Sequence, residues 1–280
     1  MGSRRKAIPL AVPPRMNAPL LSDYDDIILN TSSGKDSQTI LRVVMEQARS
    51  EGYPLGQIVA AHADLGEMEW PGTVELAEAQ ARHYGLRFWK MARPQGDLLT
   101  HIQQRGMWPS SAARYCTSDH KRGQIRKLMT ELVSSPSAAL KRPVRILNIM
   151  GMRAEESPAR SKLRPFAHDA AASNGKRQVD TWLPIHEWKL PDVWRDIKAS
   201  GVPYHKAYDL GMPRLSCVFC IFSPPAALMI AGRHNPALLH RYVEAEKAMG
   251  HTFRKDFPIA RVQSALAAGE DWGKATDWVM

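Results

Sequence analysis

The sequence predicts an α/β fold, a mostly parallel twisted sheet with helices on both faces, and three observations carry that expectation. Short apolar runs alternate with stretches of helical period through the first half of the chain. Polar, glycine-bearing motifs follow the ends of those runs, where sheets of this kind bind ligands. Farther on, Asn235-Pro236 opens a helix and two of the three cysteines stand close before it, so the remainder reads as a helical, Cys-bearing C-terminal extension.

Taken in order, residues 1–22 carry four prolines and four basic residues without helical or strand period, and are expected to be a flexible basic arm. Ile27 to Leu29 is a buried strand. Gln38 to Arg49 places Ile40, Leu41, Val44 and Ala48 on one helical face, and Ile58 to Ala61 is a second strand. Thr73 to Tyr84 forms a helix ended by Gly85, and Arg87 to Met91 a third strand. A helix from Gln124 to Val133 precedes the strand Val144 to Met150. These elements make residues 23–164 one α/β domain. From Pro165 to Thr181 the chain is small, polar and unpatterned, which predicts a mobile loop near the site at the start of a second part, residues 165–280.

Composition narrows the function classes. A chain of 280 residues with 44% hydrophobic content buries one large core with additions. No apolar run reaches bilayer length, and the Arg4-Arg5-Lys6 start lacks a signal-peptide core, so a cytoplasmic protein without a membrane partner is expected. Three cysteines are an odd number for a disulfide framework and point to thiols kept for metal binding or chemistry. The formal charge of +10 favours polyanionic partners, and between Arg114 and Arg164 twelve Lys/Arg face four Asp/Glu.

Chemistry concentrates first in Ser32-Ser33-Gly34-Lys35-Asp36-Ser37, where the first strand gives way to a helix. Free N–H groups at a helix start, a glycine and a lysine charge together hold an anion. The spacing is not that of a Walker A loop, because Asp36 follows the lysine and no glycine stands at the upstream position. The segment resembles the PP-loop of ATP pyrophosphatases, with Ser33 in place of the first glycine.

Further motifs resemble the phosphoadenosine phosphosulfate reductase-like branch of that superfamily over roughly residues 25 to 235. They are His62-x-Asp64-x-Gly66 with Pro71 and Thr73, Arg114-Tyr115-Cys116-Thr117 with Lys121, Gly151-x-Arg153-x-x-Glu156-Ser157-x-x-Arg160, and Tyr208-Asp209-x-Gly211. The resemblance implies an adenine nucleotide alpha hydrolase-like fold. It also implies an ATP site of Ser32, Ser33, Gly34, Lys35, Asp36, Ser37, His62, Asp64, Gly151 and Arg153. Arg114, Lys121, Glu156, Ser157 and Arg160 are then expected at the substrate phosphate, and Lys35, Asp36, Arg153 and Arg160 in catalysis. Asp36 or Asp64 is expected to hold Mg2+ through water.

Cys217-Val218-Phe219-Cys220 has the spacer that lets two thiolates face one metal, and Cys116 is the third cysteine. The resemblance implies a four-iron cluster on Cys116, Cys217 and Cys220. Zinc completed by His205 or His120, and plain thiols, stay open. No cysteine follows Cys220, which disfavours sulfonate reduction through a C-terminal Cys. The chain therefore resembles most the ATP pyrophosphatases of DNA phosphorothioation, the DndC or SspD kind. That resemblance implies adenylation of a DNA backbone phosphate, sulfur from a cysteine desulfurase, other phosphorothioation proteins and a homo-oligomer as partners, and a role in modification or phage defence. Alternatives are tRNA thiolation, a phosphosulfate reductase-like activity, and a nucleotide-responsive DNA-binding subunit.

Overall fold

Apolar residues of the first strand alternate between the two faces of a sheet, and the fold is built on that alternation. Ile27 and Leu29 pack with Ile40, Leu41 and Val44 of the first helix on one side, while Ile28 packs with Val59, Ile125 and Leu128 on the other. The structure, a computed structural model, describes residues 18–134 and 140–278. Most of the expected arm, residues 1–17, lies outside the described residues. The end of that stretch enters the fold: Leu21 is fully buried, and its N–H donates to Glu51 Oε2 at 2.7 Å.

Six strands form one sheet: β1 (Asp26–Thr31), β2 (Ile58–Asp64), β3 (Arg87–Ala92), β4 (Val144–Ile149), β5 (Phe166–His168) and β6 (Arg177–Trp182). Their order is β3-β2-β1-β4-β6-β5, and every pairing is parallel except that of β5 with β6. The helices are α1 (Lys35–Glu51), α2 (Thr73–His83), α3 (Leu98–Arg105), α4 (Tyr115–Thr117), α5 (Gly123–Val133), α6 (Pro158–Ser161), α7 (Leu190–Ser200), α8 (Pro225–His234), α9 (Pro236–Met249) and α10 (Ala260–Ala267). A π-helical turn, Ser118–Arg122, joins α4 to α5. Among the described residues no helix is long and apolar enough to cross a membrane.

The segment expected as a mobile loop, Pro165 to Thr181, instead carries β5 and most of β6. Strand β6 pairs with the whole of β4, so the sheet continues across the expected boundary at residue 164. Its polar residues misled because their partners are remote in sequence. Asp180 is buried and accepts from Tyr24 Oη at 2.9 Å and pairs with His168 Nδ1 at 2.9 Å, which lets a polar sequence run inside a sheet.

The C-terminal extension is helical, as the sequence suggests. Helices α8 to α10 share an apolar core with Met68, Trp70, Leu98, Tyr115, Val218 and Phe219, and the Val218 N–H donates to Met68 O at 2.8 Å. Asn235 stands at the start of α9, yet its Nδ2 donates back to Ala231 O of α8 rather than capping its own helix. Buried Glu246 on α9 anchors the chain beyond it, accepting N–H groups of Phe253, Ile259 and Ala260 at 2.6, 3.1 and 3.3 Å. Removing that carboxylate orphans three donors, so Glu246→Ala should destabilise the protein by about 3 kcal/mol, read as a lowered urea midpoint. A change below about 0.5 kcal/mol would show that the anchor carries little.

Candidate functional site

Strand order reverses between β1 and β4, and the crevice beyond the carboxyl ends of two such strands is where open α/β sheets bind ligands. The Ser32–Ser37 loop leaves β1 there, and Gly151 follows β4. Ser37 ties the loop to its helix: its Oγ donates to Gly34 O at 2.9 Å and accepts the Ser32 N–H at 3.1 Å. Ser33 takes φ of 57°, the left-handed region natural to glycine, and its buried Oγ donates to Thr73 O at 2.5 Å. That bond compensates for the missing first glycine of the motif. The tight approach falls at Gly151, where a Cβ would lie 2.7 Å from the backbone carbon and oxygen of Asp36. Gly34 is less constrained, since a Cβ there would meet Ser32 Oγ at 3.4 Å.

Of the four residues expected in catalysis, three form one buried ionic chain. Lys35 Nζ lies 3.5 Å from Asp36 Oδ2, and Arg153 Nε donates to Asp36 Oδ1 at 2.5 Å. Arg153 is 1% exposed and its Nη1 also pairs with Glu155, so its guanidinium is engaged within the protein. Asp36 therefore faces two cations rather than open solvent. Glu156, expected at the substrate phosphate, accepts the Arg153 N–H at 2.9 Å and pairs with both Arg160 and Arg214, the latter at 2.7 Å. Arg160 remains partly exposed, and Ser157 Oγ accepts its N–H at 3.2 Å as the cap of α6.

The segment around Tyr208 and Pro213 covers the loop. The Tyr208 hydroxyl accepts the Lys35 N–H at 2.8 Å, and Lys35 Nζ donates to Pro213 O at 3.2 Å. Trp194 braces Tyr208 edge-on with centroids 5.0 Å apart, and burial pushes the phenol well above its ordinary range, so it stays protonated. Sequence reasoning took Tyr208 as part of a motif without a role, because its partner lies 173 residues away.

At the end of β2, His62 and Asp64 are joined by Glu69, which sequence reasoning missed. His62 Nε2 lies 2.8 Å from Glu69 Oε2, and Asp64 Oδ1 accepts the Gly66 N–H at 2.8 Å. The only hint of Glu69 was its position in the loop after that strand.

The three cysteines are half-buried and unpaired by disulfides. Burial pushes the Cys217 thiol up to about 12 and raises that of Cys220, opposed in both by the Lys121 charge, and each of the two also feels Cys116. Among the described residues, the ligand atoms of His62, Asp64 and Glu69 all lie within 4.8 Å of one another. His205 Nδ1 accepts the Ala207 N–H at 3.1 Å, and His120 Nε2 lies 3.0 Å from His101 Nδ1 while its Nδ1 is buried without a hydrogen-bond partner. Arg114 is exposed and lies over the Phe222 ring at 5.0 Å, so this basic side chain flanks the cysteine segment.

A family model for the phosphoadenosine phosphosulfate reductase domain matches residues 26–222. The chain is 26% identical over 301 residues to an uncharacterized 37.8 kDa protein of Escherichia phage 186, covering 90% of this chain and 87% of that protein. It is 28% identical over 204 residues to adenosine 5'-phosphosulfate reductase of Allochromatium vinosum, covering 71% and 69%. Among solved structures, phosphoadenylyl-sulfate reductase from Candida auris aligns with a TM-score of 0.46 and 16% identity over 70% of this chain and 83% of that one.

Two outcomes follow from the loop geometry. Ser33→Ala keeps the left-handed backbone but loses the bond to Thr73, and should cost about 1–2 kcal/mol in thermal or urea unfolding, while Ser33→Gly should cost less. Equal losses would mean the backbone conformation is unimportant. Tyr208→Phe leaves the Lys35 N–H unpartnered in the free protein. It should lower stability by about 1 kcal/mol and tighten pyrophosphate binding about fivefold by calorimetry; weaker binding would make the phenol part of the anion site.

Proposed function

The chain belongs to the phosphoadenosine phosphosulfate reductase domain family, and from that premise we propose that it is an enzyme acting on an adenylylated oxyanion, such as adenosine 5'-phosphosulfate. The reading is carried by one observation: the Ser32–Ser37 loop, with its lysine, and the start of α1 lie at the switch point of the sheet, where open α/β sheets bind ligands. The nucleotide phosphate would displace the Tyr208 hydroxyl from the Lys35 N–H, and Lys35 Nζ would exchange the Pro213 carbonyl for a phosphate oxygen. Backbone donors and a lysine so placed stabilise charge on the AMP leaving group. Arg160, partly exposed beside Glu156, would meet the far end of the substrate. Arg153 would act as a positioning residue that holds Asp36.

Cys116, Cys217 and Cys220 would supply the sulfur side of the reaction, with the Lys121 charge acting on Cys217 and Cys220 against the larger effect of burial. If an iron-sulfur cluster is held there, these three residues hold it, and it would supply electrons or a site for sulfur. The relative from Allochromatium vinosum makes a phosphosulfate substrate the better-supported choice.

A second reading, ATP cleavage to AMP and pyrophosphate with adenylation of a DNA backbone phosphate ahead of sulfur insertion, is favoured by the charge of +10 and by exposed Arg114, Lys121 and Arg122. Mg2+ and a cysteine desulfurase belong to that reading, and base thiolation of tRNA is its RNA counterpart.

Product analysis separates the two. Purified anaerobically and given a thiol reductant, the protein should release AMP and sulfite from the phosphosulfate; AMP and pyrophosphate from ATP, dependent on DNA, would move the assignment to the second reading. Lys35→Ala should lower AMP formation about 100-fold or more, whereas Cys217→Ala should leave nucleotide affinity within about twofold and stop sulfite release. Wild-type AMP formation by the Lys35 variant would sink the site assignment.

A further inference from the structure

One constellation beside the phosphate loop is not used by that chemistry. His62 is 1% exposed and sits in register with Thr31, the last residue of β1. Its Nδ1 lies 3.1 Å from Thr31 O, a carbonyl that only accepts, so Nδ1 carries a proton. In the neutral ring Nε2 then presents a lone pair, and 2.8 Å away it meets Glu69 Oε2, a second acceptor. Two acceptors at that distance require a cation between or beside them, either a proton or a metal ion. Asp64 adds a third donor atom, and the three ligand atoms all lie within 4.8 Å of one another.

We propose that His62 Nε2, Glu69 Oε2 and an Asp64 carboxylate oxygen bind a divalent cation of the Mn2+ or Zn2+ class. One imidazole among carboxylates suits those ions better than Mg2+, which takes oxygen ligands and keeps its waters. The outer partners of a metal site are already in place. A ligating histidine ordinarily donates its other N–H to a carbonyl or carboxylate, the role of Thr31 O, and ligating carboxylates are themselves hydrogen-bonded, as Asp64 Oδ1 is by the Gly66 N–H. Asp64 and Glu69 are 15% and 13% exposed, which gives an ion a way in. Lys90 also reaches the site, its Nζ lying 3.5 Å from Asp64 Oδ2 on an exposed stem that is free to swing away. Three protein ligands leave coordination positions for water or an anion. Because Thr31 leads directly into Ser32, the site adjoins the phosphate loop across one strand, yet the proposal does not depend on which nucleotide binds.

The probe is Mn2+ alone, added to chelator-treated, nucleotide-free protein and followed by electron paramagnetic resonance; Mn2+ disfavours thiolates, so the cysteines do not compete. One bound ion per chain is expected, with nitrogen modulation from the imidazole in the pulsed spectrum. His62→Gln should remove that modulation, and Glu69→Gln, whose amide still donates to Nε2 and preserves the fold, should weaken Mn2+ about tenfold or more. Lys90→Ala, a surface change, should tighten binding severalfold. Absence of stoichiometric Mn2+, a spectrum without nitrogen modulation, or modulation that survives in His62→Gln would overturn the proposal and leave the contact an imidazolium-carboxylate pair. If His62→Gln fails to fold, the nitrogen modulation of the wild-type protein and the Lys90→Ala affinity still decide.

Discussion

The buried ion pair between Arg153 and Asp36 is the constraint on which the site depends. Arg153 follows β4 and Asp36 opens α1, so the pair spans the crevice where strand order reverses. A guanidinium that is 1% exposed must be neutralised, and Asp36 and Glu155 do so together. Removing one partner from such a pair costs about 3–5 kcal/mol, because the other charge is left buried and unmatched. The pair also explains Gly151: for Arg153 to reach Asp36, the backbone after β4 must run against the first residues of α1, where a side chain does not fit. The anion site is thus clamped from its far side before any ligand arrives.

A second dependence runs through the segment from His205 to Cys220. Tyr208 covers the Lys35 N–H, Pro213 accepts from Lys35 Nζ, Arg214 pairs with Glu156, and Val218 is bonded to Met68 beyond β2. Cys217 and Cys220 lie on the same segment, a few residues on. A ligand that displaced Tyr208 and Pro213 would pull on the chain that carries the thiols. The segment that caps the loop and the cysteines are joined by covalent continuity over a few residues, and Val218 and Phe219 share an apolar core with α8 to α10.

Much of this was legible in the sequence. The apolar runs located β1 to β4, and the Ser32–Ser37 motif located the turn from β1 into α1; helix α1 merely starts earlier than periodicity indicates, because Lys35 and Asp36 are polar yet helical. Ser33 was recognised as a departure from the motif, but not how it is tolerated, since the compensating acceptor is Thr73, 40 residues away. Strand β6 was missed because Asp180 and Arg177 are polar, and only remote partners such as Tyr24 and Thr130 make them burial-compatible.

By itself the sequence determined the α/β class, the strand-to-helix turn at Ser32–Ser37 and the family resemblance, all properties of local pattern, where neighbours along the chain set backbone conformation. Only the tertiary structure decided that Arg153 is a buried strut rather than an open clamp, that Tyr208 caps the loop, and that Glu69 faces His62. Each of those is settled by which side chain a charge or donor meets across the sheet, and burial makes such pairings obligatory without leaving any periodic trace in the chain.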